Sequence, residues 1–309
     1  MGKLIKLLRN RDFLLILSVI LGLSIGDGAR WTKMFVIPAL GVVMTLSIMG
    51  IPGSLFRSPR ALLIPALIGL AMNYGLLGGL FFLLNFLIIH DPSLKAGFVI
   101  VLAVPPAVAV IPFSMLLKGD VSFSLIGAIG GYLGALILMP LITIGFLGPE
   151  FVDRSKVIMI MLELIVIPLL FSRLLRWRGF SEKIEPYKGM FTNWGFFLVN
   201  YTIVGLNRSI ILNHPSAIAP VALVALFSTF LMGFVIGKIG RLFQVEPGKL
   251  VSLTLLGTHK NTGLAAGLAL SLFDERTALP ATVCTIFMIV YIVWLNFKQT
   301  RFSRGDRHN

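Results

Sequence analysis

The sequence has little charge and almost no cysteine. Charged residues make up only 13% of the 309 residues, about half the share in a soluble domain, whereas hydrophobic residues make up 57%. This balance excludes a water-soluble globule and indicates a protein with many membrane spans. Cys284 is the single cysteine and lies in the last apolar segment, so an intrachain disulfide framework is excluded.

The motifs of intramembrane enzymes are also missing. The sequence contains no His-Glu-x-x-His or Gly-x-Ser-x-Gly pattern, and its four histidines are scattered. We therefore expect no enzymatic activity, no bound metal and no cofactor. The formal net charge of +14 is spread over alternate loops and tails, so it indicates membrane orientation and not nucleic-acid binding.

Apolar runs of about 20 residues predict an all-α protein with ten transmembrane helices. Their expected ranges are 13–27, 34–52, 61–89, 96–117, 121–147, 155–175, 189–206, 216–239, 250–273 and 277–297. The first run follows a basic N-terminus, like a secretory signal, but the many later spans favour a retained helix. Of the 27 Lys and Arg, 19 fall on the side shared by both termini and seven on the other. This bias predicts cytoplasmic termini, and we expect a location in the cell (inner) membrane.

Segments three and eight share a spacing that suggests an internal duplication. Asn73 lies eight residues after Pro65 in segment three, and Ser228 lies eight residues after Pro220 in segment eight. A repeat of five spans must insert upside down relative to its partner, as in many secondary carriers. The sequence therefore predicts two inverted five-helix repeats, at residues 1–150 and 151–309.

Segments four and nine both carry signals that interrupt a helix. Pro105, Pro106 and Pro112 fall in segment four, where each proline removes a backbone donor. Segment nine carries the polar run Gly257-Thr-His-Lys-Asn-Thr-Gly263. Paired breaks in two halves indicate a transport site at the bilayer midplane, although the prolines could also merely kink segment four.

Two ionisable residues lie within predicted spans. Lys260 has about ten residues, roughly 15 Å of helix, on each side, so its ammonium cannot easily reach a head-group layer. Glu163 is the one acidic residue that we place inside a span. The two side chains either form a structural ion pair, or line a polar cavity. Glu163 could also be held neutral against the backbone.

Several motifs resemble the bile acid:sodium symporter family. Pro105-Pro-Ala-Val-Ala-Val-Ile-Pro-Phe-Ser-Met-Leu-Leu-Lys-Gly-Asp120 looks like that family's fourth helix, and Asn261-Thr-Gly-Leu-Ala-Ala-Gly-Leu-Ala269 resembles its ninth. The resemblance implies a panel domain of helices one, two, six and seven, and a core domain of helices three to five and eight to ten. It also implies that two broken helices cross in the core beside a bound organic anion.

The sequence departs from that family where relatives ligate sodium. Val110 and Ile111 stand where relatives supply polar ligands after the first break. Leu256 replaces a ligating Glu, and Lys260 replaces a ligating Gln. Sodium needs several oxygen ligands in one place, so we predict that sodium coupling is lost and that the Lys260 ammonium replaces the ion.

The predicted function is alternating-access transport of a small organic anion. Protons are a second partner if transport is coupled to them. Reversible protonation of Lys260 would couple transport to protons, whereas a permanent charge would leave a uniporter or exchanger. A non-transporting ligand sensor or a channel-like protein of the same fold is the alternative. The candidate binding residues are Lys260, Asn261, His259, Thr258, Asn73, Ser124, Ser114, Asn200 and Glu163. His259 has two readings, as a cavity contact or as a backbone-bonded filler.

Overall fold

The fold is helical throughout the part of the chain that the structure describes. This computed structural model describes residues 10–49, 59–148, 162–213 and 215–305, together with Leu8, Ser155 and Met159. Helices account for nearly all of these residues, and no strand occurs among them. The predicted all-α class is therefore confirmed.

The first half of the described chain contains seven α-helices. They are α1 (Arg11–Ser24), α2 (Val36–Met49), α3 (Pro59–Leu70), α4 (Gly78–Ile88), α5 (Pro92–Ala103), α6 (Val110–Leu116) and α7 (Val121–Leu147). Three short helical turns at Gly26–Gly28, Ala29–Thr32 and Lys33–Phe35 join α1 to α2. A π-helical segment, Ala71–Leu77, joins α3 to α4 without a break.

Eight further α-helices follow. They are α8 (Ile167–Trp177), α9 (Phe180–Leu206), α10 (Arg208–Asn213), α11 (Pro215–Leu226), α12 (Met232–Leu242), α13 (Pro247–Leu256), α14 (Thr262–Leu272) and α15 (Glu275–Gly305). The π segment Leu162–Val166 precedes α8, and Phe227–Leu231 joins α11 to α12. α9 begins well before the predicted start of segment seven at residue 189, because its first turns are amphipathic and not apolar.

Five stretches are long and apolar enough to cross a membrane. They are Gly26–Ser47, Leu62–Ile88, Val121–Leu147, Ile218–Leu242 and Glu275–Lys298, as judged over the described residues by length and composition. Three shorter apolar helices, α5, α13 and α14, adjoin the interruptions that the sequence predicts in segments four and nine. The chain is therefore an integral membrane protein, and the count of ten spans stays a prediction.

The helices pack in two groups. The smaller group consists of α1, α2, α8 and α9, in which α9 packs along α1 and α2, and α8 packs along α2. The larger group consists of α3–α7 and α11–α15, in which α3 packs along α7 and α15 packs on α5, α11 and α14. Contacts of α15 with α1 and α9, and of α14 with α2, join the groups.

Local sequence explains where the larger group's helices begin. The side chains of Asp91, Asp120 and Asn261 accept hydrogen bonds from backbone N–H groups in the first turns of α5, α7 and α14 at 2.9–3.1 Å. These N-caps satisfy donors that have no partner within a helix, which matters most at bilayer depth. A Cβ at Gly69 would lie only 2.3 Å from the Gly127 carbonyl oxygen, so glycine permits the direct backbone contact of α3 with α7.

Candidate functional site

The two interrupted helices meet at their breaks. α5 ends at Ala103 and α6 begins at Val110, while α13 ends at Leu256 and α14 begins at Thr262. The unwound segments pair antiparallel: Ala107 N donates to His259 O at 3.0 Å, and Asn261 N donates to Pro105 O at 2.8 Å. Backbone groups freed by both breaks thus satisfy each other. We call residues 104–109 and 257–261 the crossing.

Lys260 holds the α5 side of the crossing. Its Nζ donates to the carbonyl oxygens of Leu102 at 2.8 Å and Val104 at 3.0 Å, and lies 4.1 Å from the ring centroid of Tyr74. The residue is only 1% exposed, and no carboxylate pairs with it among the described residues. Carbonyls at a helix C-terminus carry partial negative charge, so the end of α5 is a favourable place for an ammonium. The tyrosine ring adds a cation–π contact.

Asn73 binds the end of α13, as Lys260 binds the end of α5. Its Nδ2 lies 3.3 Å from Leu256 O and 3.4 Å from His259 O, so it donates to carbonyls at the end of that helix. Asn73 comes from the π segment between α3 and α4, which turns its side chain towards the crossing. The ends of the two broken helices are therefore satisfied by different chemistry, an ammonium on α5 and a neutral amide on α13.

A tyrosine and two threonines complete the crossing. The Tyr132 hydroxyl, on α7, donates to Pro106 O at 2.9 Å and lies 3.4 Å from Asn261 Nδ2. Thr285 Oγ1, on α15, donates to Thr262 Oγ1 at 2.7 Å, beside the first turn of α14. Each of these contacts ties the crossing to a neighbouring helix, so the crossing is held as a rigid unit.

A cavity of about 440 Å³ lies between the crossing and the smaller helix group. On the crossing side its wall includes Ala107–Ala109 and Lys260–Gly263, and on the other side Phe196 and Asn200 of α9. Thr285 and Met288 of α15 close it laterally. The cavity therefore combines an apolar body with a few polar groups, the usual composition of a small-molecule site.

The rim of this cavity is charged. Arg11, Glu185 and Lys188 line it at the starts of α1 and α9. Arg11 is paired with Asp12 at 3.0 Å, and its guanidinium carbon lies 4.5 Å from the ring centroid of Phe113 on α6. Lys188 lies 3.6 Å from Glu185. Both rim cations are therefore paired with carboxylates, and the Lys260 ammonium is turned away from the cavity towards the carbonyls of α5.

A known protein family matches most of this chain. A family model described as the SBF-like CPA transporter family matches residues 60–301. The chain belongs to the SBF-like CPA transporter family. No curated protein matches the chain significantly.

Membership of the SBF-like CPA transporter family agrees with the resemblance to bile acid:sodium symporters that the motifs indicate. The matched range contains both halves of the crossing and the wall that α9 contributes to the cavity. The family identifies the chain as a transporter, and its described residues contain no cluster of His, Cys, Asp and Glu that could hold a metal ion.

Only some of the predicted site residues reach the cavity of this SBF-like transporter. Asn200, Asn261 and Lys260 line it. His259 is fully buried between the rings of Phe113 and Tyr291, and its Nδ1 lies 2.7 Å from Thr258 Oγ1. The side chains of Thr258 and His259 therefore belong to the packing behind the crossing, which agrees with the filler reading of His259.

The two predicted serines also lie outside the cavity lining. Ser114 is buried between α6 and α13, where its Oγ lies 3.3 Å from Ser252 Oγ. Ser252 in turn donates to Asp120 O at 2.8 Å, so this pair fixes the turn before α7. Ser124 is fully buried on α7, and its Oγ has no hydrogen-bond partner among the described residues. Neither serine faces a ligand in this conformation.

The structure joins Glu163 neither to Lys260 nor to the cavity, and its position within a span stays a prediction. Its side chain is exposed, and no ion pair joins it to Lys260. Glu163 shares its helical spacing with Ile167, Leu170 and Leu174, which are also exposed, so all four lie on the outward stripe of this helix. α8 packs mainly along α2 and also contacts α9, and Glu163 lies on the stripe that faces away from these helices.

The sequence interpretation missed three residues beside the crossing, Tyr74, Tyr132 and Thr285. Thr285 binds Thr262 and lines the cavity. The tyrosines carried a usable signal, because the chain has only five tyrosines, and Tyr74 directly follows Asn73. A tyrosine hydroxyl within an apolar span needs a partner, and unwound carbonyls are the nearest ones that a broken helix offers.

Proposed function

We propose that this protein is a secondary carrier of a small organic anion, in which the Lys260 ammonium takes the place of a dissociable sodium ion. The observation that carries the proposal is the double hydrogen bond of Nζ to Leu102 O and Val104 O. An ion at such a crossing would neutralise unwound carbonyls at bilayer depth, and the ammonium does this with a covalent tether.

The surroundings of Lys260 support the loss of a sodium site. Val110 and Leu256 are fully buried and apolar, so they add no oxygen ligand where the resemblance places two. The amine itself takes up two of the backbone oxygens that unwinding provides. A hard cation needs an almost complete shell of oxygens, and the remaining groups here are an amide, a hydroxyl and hydrocarbon.

The cavity supports an anionic substrate with an apolar portion. Phe196, Met288 and Ile289 supply apolar wall, whereas Asn200 and Asn261 supply amides that donate hydrogen bonds. Arg11 and Lys188 at the rim could exchange their carboxylate partners for an anionic substrate during entry. A carboxylate near the amides, with its hydrocarbon against the apolar wall, fits this distribution best.

We further propose a ten-span architecture of two inverted repeats, at residues 1–150 and 151–309. The larger helix group would be the core domain and the smaller group the panel. Two breaks that pair with each other, and two π segments at Ala71–Leu77 and Phe227–Leu231, support the repeat. Rocking of the panel against the core would open the cavity to each side in turn.

In this arrangement the rim of the cavity, which includes Arg11 and Lys188, faces the cytoplasm. Both termini lie on the same side of the cell (inner) membrane. The excess of Lys and Arg on the side of the termini supports this orientation. The conformation described here would then be inward-open, because the cavity is lined by the starts of α1 and α9.

Uptake into proteoliposomes tests the proposal. Cholate, pyruvate and succinate are first screened for thermal stabilisation of the purified full chain, and the best ligand is used radiolabelled. We expect saturable uptake that is unchanged when sodium is replaced by choline. A strict requirement for sodium would overturn the replacement of the ion by Lys260. An imposed pH gradient separates proton coupling from uniport or exchange, because only the first responds to it.

Two further measurements sharpen this test. Unlabelled ligand inside the vesicles accelerates uptake by a carrier, whereas a ligand sensor binds without flux and a channel shows no saturation. Lys260→Met keeps the length of the side chain and removes its charge and donors, so we expect uptake to fall by at least tenfold. Lys298→Met, at an exposed lysine of α15, is the matched control and should retain uptake.

A further inference from the structure

A second cavity, of about 590 Å³, lies where several helices of the larger group end. α4 ends at Ile88 and α7 ends at Leu147, while α5 begins at Pro92 and α15 begins at Glu275. The cavity is lined by residues next to all four of these ends. Since the helices are apolar and end together, this cavity lies at the level of the lipid head groups and not at the bilayer centre.

One wall of the second cavity is aromatic and opens sideways. Phe82 and Phe86 of α4 and Phe146 of α7 line it, and the rings of Phe82 and Phe146 lie 5.3 Å apart. All three side chains are exposed, Phe86 at 72%, on the surface that an apolar helix turns towards hydrocarbon. An acyl chain can therefore reach the cavity from the bilayer and lie along these rings.

Residues of opposite charge line the second cavity. Lys95, in the first turns of α5, lines it and forms no ion pair with any described residue. Asp274 also lines it; its Oδ1 caps α15 by accepting from Thr277 N at 2.7 Å. Asn85 adds an acceptor: the residue is 8% exposed, and its Oδ1 has no hydrogen-bond partner among the described residues.

We propose that this cavity binds one phospholipid with an ethanolamine head group. The phosphate lies at Lys95, whose ammonium donates a charge-assisted hydrogen bond to it. The primary ammonium of ethanolamine lies at Asp274 and donates a further hydrogen bond towards Asn85. The acyl chain lies along Phe82 and Phe146. A head group that is only anionic meets Asp274 unfavourably, because like charges repel.

This inference is independent of the proposed transport mechanism. The second cavity is lined by α4, α5, α7 and residues 273–277, whereas the transport cavity is lined by α1, α9, the crossing and α15 beyond Thr285. A bound lipid here would hold the start of α5 against α4 and α7, whereas Lys260 binds carbonyls at the other end of α5. Loss of the lipid site and loss of transport can therefore be separated by mutation.

Native mass spectrometry of the full chain in detergent tests the proposal, with phosphatidylethanolamine and phosphatidylglycerol added in equal amounts. We expect one phosphatidylethanolamine to be retained in preference to phosphatidylglycerol. Lys95→Met should reduce retention of both lipids by about tenfold, the effect of losing one charge-assisted hydrogen bond. Asp274→Asn keeps the helix cap, since asparagine caps as well as aspartate, and should reverse the preference towards phosphatidylglycerol.

Controls make each outcome decisive. Lys298→Met removes an exposed lysine outside this cavity and should retain phosphatidylethanolamine like the unmodified chain. Inorganic phosphate at millimolar concentration should not displace the lipid, since the aromatic wall contributes to binding; displacement would mean a free-anion site and would overturn the proposal. Equal retention of both lipids by the unmodified chain, or unchanged retention in Lys95→Met, would also overturn it. If Lys95→Met does not fold, Asp274→Asn alone decides, because an unchanged lipid preference contradicts the assignment.

Discussion

Replacement of Lys260 by methionine is the most direct test of its structural role. Methionine has nearly the same length, so the change removes the charge and the donors without leaving a large cavity. The carbonyls of Leu102 and Val104 then lose the ammonium that donates to them. Leaving a buried acceptor without a partner costs about 1–3 kcal/mol, so two carbonyls cost roughly 2–6 kcal/mol.

Two smaller effects modify this cost. The contact of Nζ with the Tyr74 ring at 4.1 Å contributes on the order of 1 kcal/mol that is also lost. Against this, methionine avoids the desolvation cost of burying an ammonium, which is several kcal/mol. We expect a net destabilisation of about 1–2 kcal/mol. At about 2 °C for each kcal/mol in a chain of this size, the apparent melting temperature falls by roughly 2–4 °C.

The assay is the thermal unfolding of purified protein in detergent, followed by tryptophan fluorescence or by loss of monodisperse protein at a fixed heating rate. The heating rate is kept constant because unfolding of a large membrane protein is commonly irreversible. Lys298→Met is the control, since Lys298 Nζ lies 5.1 Å from the Trp294 ring but holds no buried carbonyl. It should shift melting by less than about 1 °C. An equal shift in both variants would refute the reasoning from the carbonyls of α5.

Four further predictions concern the same helices. In Lys260→Ala, millimolar propylammonium should raise the melting temperature, because it supplies the missing cation by mass action, whereas the unmodified chain should not respond. Asn73→Leu should lower stability by about 1–3 kcal/mol, measured by the same melts, since Leu256 O at the end of α13 loses its donor, whereas His259 O keeps Ala107 N. Glu163→Leu, on the exposed stripe, should leave uptake unchanged; a tenfold loss would contradict its placement. Arg276 donates a hydrogen bond to Asp91 and thereby lowers the pKa of Asp91. The ionised Asp91 therefore stabilises the fold fully above the ordinary carboxyl pKa, and this stabilisation is lost as the pH falls through the lowered pKa. Asp91→Asn should flatten the melting temperature between about pH 5 and 3 relative to the unmodified chain.

The breaks in segments four and nine could be predicted from the sequence, because their cause is local. Pro105 and Pro106 have no N–H, so α5 cannot continue through them whatever surrounds it. The polar run around Lys260 has a similar local cost within hydrocarbon. Both features interrupt a helix at their own positions in the sequence, and α5 and α13 end beside them.

The partners of Lys260 could not be predicted in the same way. The accepting carbonyls of Leu102 and Val104 have the same chemistry as every other carbonyl in the chain, and only the pairing of two distant segments brings them within 3.0 Å of Nζ. The exposure of Glu163 could not be predicted for a related reason, because it depends on which side of the segment packs against α2, and this packing joins residues that are distant in the sequence.

The two helix ends at the crossing also differ in a way that bears on transport. Asn73 reaches α13 from the π segment between α3 and α4, and Lys260 reaches α5 from the unwound segment between α13 and α14. Each break is therefore held by a side chain from another part of the larger helix group, and neither contact depends on a dissociable ion. In the proposed mechanism, a crossing closed by the chain itself would need no ion to keep its shape. The free energy of moving the smaller group over it would then be set by the substrate and the cavity wall, as exchange or uniport without sodium requires.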